Sequence, residues 1–359
     1  MRLLFRVNLG GELAAGHRGP AEGLGHATRC LALAEALQAL ERDSQIRFAV
    51  RGPEGAERRF EAEGFAAVVL ADEAEALRDF RPDATVIDIN SADRDLVEHY
   101  RSHAPVINLA ARGRAKFYAD LTFNNTAVDS EAPPADARAA TWYRGPRFAL
   151  IPRRIAALRP GPGQPMARDF SCIASLGGVD RDDMTGTVLR ALLEAPALDF
   201  PVTVVAGPLN PQAERLQALA ARRPGQISLV VDPEDFAERL AAASMGIFGL
   251  GGTTDEALTL GVPSLNLGLS RFHELRGAEL EVEGVIAYLG RADEVRGEEI
   301  VGRLLEWRRD SIALQARRQR ALALYDGEGG RRVAETILRF LAEPPALGPP
   351  LPQPSASRA

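Results

Sequence analysis

The sequence contains very little cysteine, and its two cysteines, Cys30 and Cys172, lie in apolar segments far apart. Neither belongs to a Cys-x-x-Cys pair or to a cluster of cysteine and histidine. This spacing argues against both a disulfide framework and a structural zinc site. We therefore expect a chain that holds no metal ion and depends on no cofactor.

Long hydrophobic runs and an excess of positive charge are also missing. No apolar run reaches membrane-spanning length, and the first residues show no signal-peptide cleavage pattern. The net charge is −6, with basic residues interspersed among acidic ones. Nucleic acids attract basic surfaces, so this balance argues against a nucleic-acid partner. The sequence predicts a cytoplasmic protein without a membrane span, and it leaves the oligomeric state open.

The sequence does contain a long alternation of short apolar runs and helical patterns. This alternation indicates mostly parallel sheets with helices on both faces, an α/β protein, and 359 residues favour two domains. Prolines interrupt the pattern between Arg144 and Pro165, so we place a linker there. We predict two doubly wound, Rossmann-like domains facing across a cleft. The predicted division is 1–150 for the N-terminal domain, 151–168 for the linker, 169–330 for the C-terminal domain, 331–342 for a final helix and 343–359 for a disordered tail.

A Gly-rich turn between a predicted strand and a predicted helix is the first candidate site. It contains Gly251, Gly252, Thr253 and Thr254, followed by Glu256 inside the helix. The first amides of a helix have no internal partners, and with the helix dipole they suit a phosphate or diphosphate. The carboxylate of Glu256 would accept hydrogen bonds from ribose hydroxyls. A tight turn with an ordinary first-turn glutamate explains the pattern equally well.

A second candidate is His26, which follows Gly25 at the start of the first long helical pattern. The positive end of a helix disfavours an imidazolium ion, so the ring there is suited to accept a proton. The alternative is a histidine that only caps the helix. Both interpretations stay open on the residues alone.

Further candidates lie in loops that follow predicted strands, where doubly wound folds bind ligands. Gly177 and Gly178 repeat the strand-to-glycine pattern, and Asp183 follows them at the start of a helix, where it would bind the ligand or cap the helix. Asp88 ends a predicted strand and would face the cleft, or be a solvated loop acid. His273 is expected in a loop after a strand.

Several spaced motifs occur together and in order. They are Gly23-Leu-Gly-His26-Ala-Thr-Arg29-Cys30-Leu, Tyr143-Arg-Gly-Pro, Ser175-Leu-Gly-Gly-Val-Asp180, Gly251-Gly252-Thr-Thr-Asp-Glu256 and Asp326-Gly-Glu-Gly-Gly-Arg331. With them the chain resembles the UDP-sugar hydrolases of pseudaminic acid biosynthesis, relatives of the spore-coat polysaccharide protein G group. The peptidoglycan N-acetylglucosaminyltransferase is a more distant relative. The resemblance covers most of residues 1–340 and implies the two-domain GT-B fold.

The resemblance also implies a mechanism and a set of site residues. UDP would lie in the C-terminal domain, with its diphosphate on the turn from Gly251 to Thr254 and its ribose on Glu256. His26 would act as the base for attack at the anomeric carbon, and no metal would be needed. From position or from the resemblance, the other residues expected to bind the substrate are Gly25, Arg29, Asp88, Gly177, Gly178, Asp183 and His273.

The sequence departs from the family mainly on the side of the sugar. Asp88-Ile89-Asn90 stands where the family has Asp-Ser-Tyr, Asp183 stands where family members have Asn, and Gly10–Ala21 looks like an insertion. Three functions are therefore weighed. The leading one is hydrolysis of a UDP-linked amino or deoxy sugar, which releases UDP and the free sugar. The alternatives are a GT-B glycosyltransferase and a non-catalytic nucleotide-sugar-binding protein.

Overall fold

The computed structural model describes residues 1–10, 24–138, 140–161, 164, 169–180 and 182–343. The described residues include only Gly10 of the insertion predicted at Gly10–Ala21. Of the tail predicted to be disordered, they include only the first residue. Within these ranges, no helix is both long and apolar enough to cross a membrane.

The first half of the chain builds a seven-stranded, wholly parallel sheet in the order β3-β2-β1-β4-β5-β6-β7. Its central strands are runs of buried residues, as expected for strands covered on both faces. The strands are β1 Arg2–Asn8, β2 Gln45–Arg51, β3 Ala66–Val69, β4 Ala84–Asp88, β5 Val106–Asn108, β6 Leu121–Asn124 and β7 Thr141–Arg144. The helices are α1 Leu24–Leu40, α2 Arg58–Glu61, α3 Glu75–Arg78 and α4 Arg94–Arg101.

A second parallel sheet has six strands in the order β10-β9-β8-β11-β12-β13. A short linker helix, α5 Arg153–Ala156, precedes it. The strands are β8 Cys172–Ser175, β9 Val202–Ala206, β10 Ile227–Val231, β11 Met245–Gly249, β12 Ser264–Gly268 and β13 Ile286–Arg291. The helices are α6 Met184–Leu193, α7 Ala213–Ala220, α8 Phe236–Ala242, α9 Gly252–Thr259, α10 Arg271–Val282, α11 Gly297–Arg309, α12 Ser311–Leu324 and α13 Gly329–Ala342.

The α/β prediction with parallel, doubly wound sheets is confirmed, but the strands β7 and β13 were not predicted. Both are outermost strands of their sheets. Strand β7 has exposed ends and a half-buried middle, and β13 is buried only at its first two residues. Strands at a sheet edge therefore give a weaker hydrophobic signal than the continuous buried runs of the sheet centre.

The order of strands reverses once in each sheet. In the first sheet β1 lies between β2 and β4, and in the second sheet β8 lies between β9 and β11. Doubly wound sheets bind ligands outside the carboxyl ends of the strands at this reversal. The loops after β1 and β4, and those after β8 and β11, are therefore where a ligand site is expected.

The final helix, α13, packs on the first sheet's core although it follows the second sheet in sequence. Val333, Ala334 and Ile337 are fully buried in one cluster with Leu33 and Leu37 of α1. The core around the first sheet therefore includes side chains from both ends of the described chain.

Shortening Ile337 tests this packing. Because Ile337 is fully buried, we expect Ile337→Val to lower the free energy of unfolding by about 0.5–1.5 kcal/mol. The exposed Arg339 on the same helix is the control, and Arg339→Ala should cost less than about 0.5 kcal/mol. Hydrogen exchange should become faster in α1 and β1 and stay unchanged in β8. Equal acceleration in both sheets would contradict the assignment of α13 to the first core.

Candidate functional site

The first candidate group lies at the strand reversal of the first sheet. His26 is in the first turn of α1, and its Nδ1 is 2.7 Å from Oδ1 of Asp88, the last residue of β4. Arg29, one turn further along α1, donates from Nε and Nη2 to the two oxygens of Asp88 at 3.0 and 2.7 Å. The structure therefore brings together three residues that were predicted separately as site residues.

Asp88 is fully buried, and its charge state follows from its two neighbours. Burial disfavours the carboxylate, but the charges of Arg29 and His26 and their hydrogen bonds outweigh it and lower the pKa of Asp88 to about 2. Asp88 is thus ionised at neutral pH and accepts the Nδ1–H of His26. This contact fixes the tautomer of the ring and leaves the lone pair on Nε2.

The lone pair on Nε2 meets Asn90, which was not predicted as a site residue. The side-chain amide of Asn90 lies 3.0 Å from Nε2 of His26 and is oriented as a donor. The sequence contained the signal, because Asn90 follows β4 by two residues and stands where the resembling family has a tyrosine. Together Asp88 and Asn90 hold both ring nitrogens of His26.

The second candidate group is the turn from β11 into α9. Gly251 is exposed, and a Cβ added to Gly251 or Gly252 would have no neighbour within 4 Å. Thr254 is turned inward, since its hydroxyl donates to the carbonyl oxygen of Gly249 and accepts from Asn266. The hydroxyl of Thr254 therefore supports the turn, and the open side is formed by the backbone at Gly251 to Thr253.

Glu256 is half-buried in the first turns of α9. Burial and the neighbouring charge of Asp255 raise the pKa of Glu256 to about 7, against the opposing effect of Arg154. In the ligand-free protein this carboxyl is therefore costly to ionise. A ligand that donates hydrogen bonds to the carboxylate would relieve that cost.

Asp255, one residue earlier, is buried and supports the turn from behind. Its Oδ1 pairs with Nη2 of the buried Arg276, whose Nη1 donates to the carbonyl oxygen of Leu250 at 3.1 Å. Arg29 of α1 is close enough to Asp255 for their charges to interact. Asp255, next to the glycine turn, is therefore within electrostatic range of the residue that binds Asp88.

Direct hydrogen bonds also cross the cleft between the loop after β6 and the second sheet's helices. Asn125 donates from Nδ2 to Oδ2 of Asp255. Next to it, Thr126 donates its hydroxyl and Ala127 its backbone N–H to the carboxylate of Glu279 on α10, the latter at 2.8 Å. None of these residues was predicted to belong to a site, because nothing in either local sequence indicates a partner 130 or more residues away.

We expect Asn125→Ala to lower the free energy of unfolding by about 1.5 kcal/mol, because a buried carboxylate oxygen loses a donor. Asn125→Asp should cost more, since it sets a second carboxylate against Asp255. Urea unfolding of both variants measures the two values. A smaller loss for Asn125→Asp than for Asn125→Ala would show that this hydrogen bond is not formed.

The loop after β8 also meets the N-terminal half of the site. Gly178 faces Leu24 at the start of α1, so closely that an added Cβ would lie 3.1 Å from its Cδ1. The cap of α6 is Asp180, which accepts from the N–H groups of Met184 and Thr185 at 2.9 and 2.8 Å. Asp180 therefore has the capping role that was one of the two interpretations of Asp183.

Asp183 itself is directed onto its own helix. Its carboxylate accepts from both Nη atoms of Arg190 at 3.2 Å and lies 3.5 Å from Arg215. A Cβ added to Gly186 would collide with its oxygens. Oδ2 of Asp183 is therefore paired with arginines of α6 and α7. Its Oδ1 is buried and has no hydrogen-bond partner among the described residues.

His273 lies in the first turn of α10, and the expectation that it lies in a loop was wrong. Ser270 caps α10 by accepting from the N–H of His273, so the helix begins at Arg271, four residues before the start expected near Leu275. Nδ1 of His273 accepts from the N–H of Leu269 at 3.0 Å. Burial and the charges of Arg112 and Arg276 lower the pKa of His273 to about 4. The ring is therefore neutral at pH 7 and carries its proton on Nε2, as a donor.

Comparison with known proteins defines the fold more closely than the family. No protein-family model matches the sequence, and a search of curated proteins finds no match. Among solved structures, the complex of S. aureus MnaA with UDP matches with a TM-score of 0.67 and 12% identity, covering 95% of this chain and 97% of that chain. The UDP-GlcNAc 2-epimerase from Neisseria meningitidis, bound to UDP-GlcNAc, matches with a TM-score of 0.63 and 14% identity. This match covers 94% of this chain and 100% of that chain.

A glycosyltransferase matches over the same extent. CalG4, the calicheamicin glycosyltransferase, has a TM-score of 0.59 and 16% identity, covering 96% of this chain and 98% of that chain. Together these matches show that the chain has the GT-B fold, and the fold prediction is confirmed. Membership of the hydrolase family that the motifs resemble stays a prediction.

Proposed function

We propose that the protein is an enzyme that binds a UDP-sugar in the cleft and transfers the sugar to an acceptor hydroxyl. One observation carries the proposal: the buried carboxylate that holds His26 is also bound by Arg29, whose charge interacts with that of Asp255 behind the open glycine turn of the second sheet. In this proposal residues 1–150 form the lobe of the acceptor and the base, and residues 169–330 form the lobe of the nucleotide.

The nucleotide half of the proposal rests on the start of α9. The amides at Gly252 and Thr253, with the positive end of the helix, would hold the diphosphate. Glu256 would accept from the ribose hydroxyls. Two proteins of the same fold are bound to UDP or UDP-GlcNAc, which supports a uridine nucleotide here. His273, as a neutral donor, would add a hydrogen bond to the ligand.

The chemical step would use His26 as general base. Asn90 would give up its contact with Nε2, and the acceptor O–H would take that place and lose its proton to Nε2. The acceptor oxygen would then form the bond to the anomeric carbon while the bond from that carbon to the diphosphate oxygen breaks. The electron pair would leave with UDP, whose growing charge the α9 amides would stabilise. Asp88 would stabilise the positive charge on the imidazolium.

Hydrolysis is the second candidate, with water in place of the acceptor. Two observations favour it. The motifs resemble UDP-sugar hydrolases, and His26 is only 6% exposed, so a small nucleophile reaches it most easily. The comparisons favour transfer, because the fold is shared with CalG4, a glycosyltransferase.

Release of UDP from a panel of UDP-sugars distinguishes the two reactions. The purified protein is incubated with each donor, alone and with glycan acceptors, and the products are identified by mass spectrometry. Release that requires an acceptor supports transfer, and release in buffer with a free sugar supports hydrolysis. Tight binding without release, or conversion to an isomeric UDP-sugar, would contradict both.

A further inference from the structure

A groove of about 860 Å³ runs along α1. One wall is the α1 face that begins at Thr28, two residues after His26, and continues to Gln38. The opposite wall comes from α2 and from the linker at residues 152–157. At about 1.5 Å per residue, the α1 wall is about 15 Å long. This is enough for an extended ligand rather than a single ion.

Four arginines line this groove: Arg42, Arg59, Arg153 and Arg154. Within the part of the chain that the structure describes, none of the four guanidinium groups has a carboxylate within 4.0 Å. In addition, Nε of Arg59 is buried and has no hydrogen-bond partner among the described residues. Unpaired guanidinium groups along one wall favour a ligand with several anionic groups.

The remaining lining indicates which kind of anion fits. Glu35 is half-buried in the groove, and burial together with the nearby Glu63 raises its pKa. The carboxyls of Glu35 and Glu63 accept from hydroxyls, and the amide of Gln38 both donates to and accepts from them. When ionised, the two carboxyls repel a dense polyanion such as polyphosphate more than a sugar chain whose charges are spaced apart. Leu31 and Pro152 add apolar surface. Alternating charged, hydroxyl-binding and apolar surface matches a sugar chain that carries carboxylates.

The groove is connected electrostatically to the nucleotide side of the cleft. Arg154 acts on the charge of Glu35 within the groove and on that of Glu256 at the start of α9. Thr28, also in the lining, lies two residues after His26 on α1. A ligand in the groove would therefore lie along the helix that holds His26 and beside the linker arginine that acts on Glu256.

We propose that this arginine groove binds an acidic oligosaccharide, which is the acceptor or its extension. Its role as acceptor rests on the proposed function, whereas binding of the acidic sugar chain does not. Carboxylates of the chain pair with Arg42, Arg59 and the linker arginines, and hydroxyls of the chain bond to Glu35 and Gln38.

Trigalacturonate is the probe, and its binding is measured by calorimetry with UDP at saturation, so that the nucleotide site is filled. We expect Arg42→Gln/Arg59→Gln to weaken trigalacturonate binding about tenfold and to reduce its salt dependence. The matched control is Arg222→Gln/Arg309→Gln, which removes the same charge from exposed positions on the second lobe. The control should leave binding unchanged, and both variants should keep the wild-type melting temperature.

Neutral maltotriose should bind at least about tenfold more weakly than trigalacturonate, because it forms none of the charged contacts. Equal losses in the groove variant and the control, or tighter binding of tripolyphosphate than of trigalacturonate, would overturn the proposal. If UDP-sugar turnover is absent but the groove variant alone loses trigalacturonate, the groove stands and the proposed function fails. If turnover is present and the groove variant binds like wild type, only the groove proposal fails.

Discussion

Replacing Asp88 with asparagine is expected to reduce the turnover of the UDP-sugar by at least about a thousandfold. The carboxylate is ionised, since its pKa is about 2, and accepts the Nδ1–H of His26 at 2.7 Å. An asparagine can turn its NH₂ group towards Nδ1, which moves the ring proton to Nε2. Nε2 then has no lone pair with which to take a proton from the acceptor.

The double variant shows whether the two residues act as one unit. His26→Ala should lose as much activity as Asp88→Asn, and the double variant should be no slower than His26→Ala alone. Cys30→Ser is the matched control, because the Cys30 thiol lies 3.9 Å from Oδ2 of Asp88 and a serine hydroxyl keeps a donor there. It should change turnover by less than about threefold. Wild-type turnover in Asp88→Asn would exclude His26 as an oriented base.

The second large effect is expected for Glu256→Gln, which should weaken the binding of UDP and stabilise the ligand-free protein. We expect UDP to bind about 10- to 100-fold more weakly, because hydrogen bonds from the ribose to a charged carboxylate are worth about 1.5–3 kcal/mol. The pH dependence of UDP affinity between pH 6 and 8 should also differ. In the wild type, affinity follows ionisation of Glu256 as well as of the terminal phosphate, whereas the variant keeps only the phosphate contribution.

The same change should stabilise the ligand-free protein at high pH. The pKa of Glu256 is raised from 4.5 to about 7, so folding favours the protonated carboxyl. The contribution of this carboxyl to the free energy of unfolding is fully present below about pH 4.5 and is lost as the pH rises through about 7. At pH 8 the buried carboxylate costs about 3 kcal/mol relative to a neutral side chain, and at pH 5 less than about 1 kcal/mol. In urea unfolding, Glu256→Gln should therefore be more stable than the wild type by about 3 kcal/mol at pH 8 and by less than about 1 kcal/mol at pH 5.

The exposed Glu283, at the end of α10, provides the control for both measurements. Glu283→Gln should change neither UDP affinity nor the pH dependence of unfolding. Binding of 2′,3′-dideoxy-UDP should be weak and equal in the wild type and in Glu256→Gln. A variant that loses affinity for UDP and for the dideoxy analogue by the same factor would show that Glu256 does not contact the ribose.

The alternation of strands and helices was readable from the sequence because its signals are local. Central strands such as β1 and β11 are continuous apolar runs, and the glycine turn before α9 is a contiguous motif. The edge strands β7 and β13 escaped prediction, since few of their residues are fully buried. The start of α10 was misplaced because its cap, Ser270, follows a glycine and a leucine that read as loop.

Residues of the candidate site were predicted from a position after a strand or from a motif. Residues whose contacts depend on a partner far away in sequence were missed. His26, Arg29 and Asp88 were each indicated by position or motif, but their contact joins residues about 60 apart in sequence. Asn125 and Arg276 have no local signal, because the partner of each is brought near only by folding. Asn90 did have a signal, its position after β4, but its contact with His26 joins residues 64 apart. Asp183 was indicated by a motif position, yet Arg190 takes up its charge.

The packing of α13 on α1 has a consequence for how the chain folds as it is made. A ribosome releases the strands of the first sheet early, but Val333, Ala334 and Ile337, which cover Leu33 and Leu37, emerge only after the whole second sheet. During synthesis the apolar face of α1 in the first lobe is therefore still uncovered while the second lobe folds. A chaperone that recognises bare apolar helices would find its binding site there, and α13 would displace it when translation reaches the end of that helix.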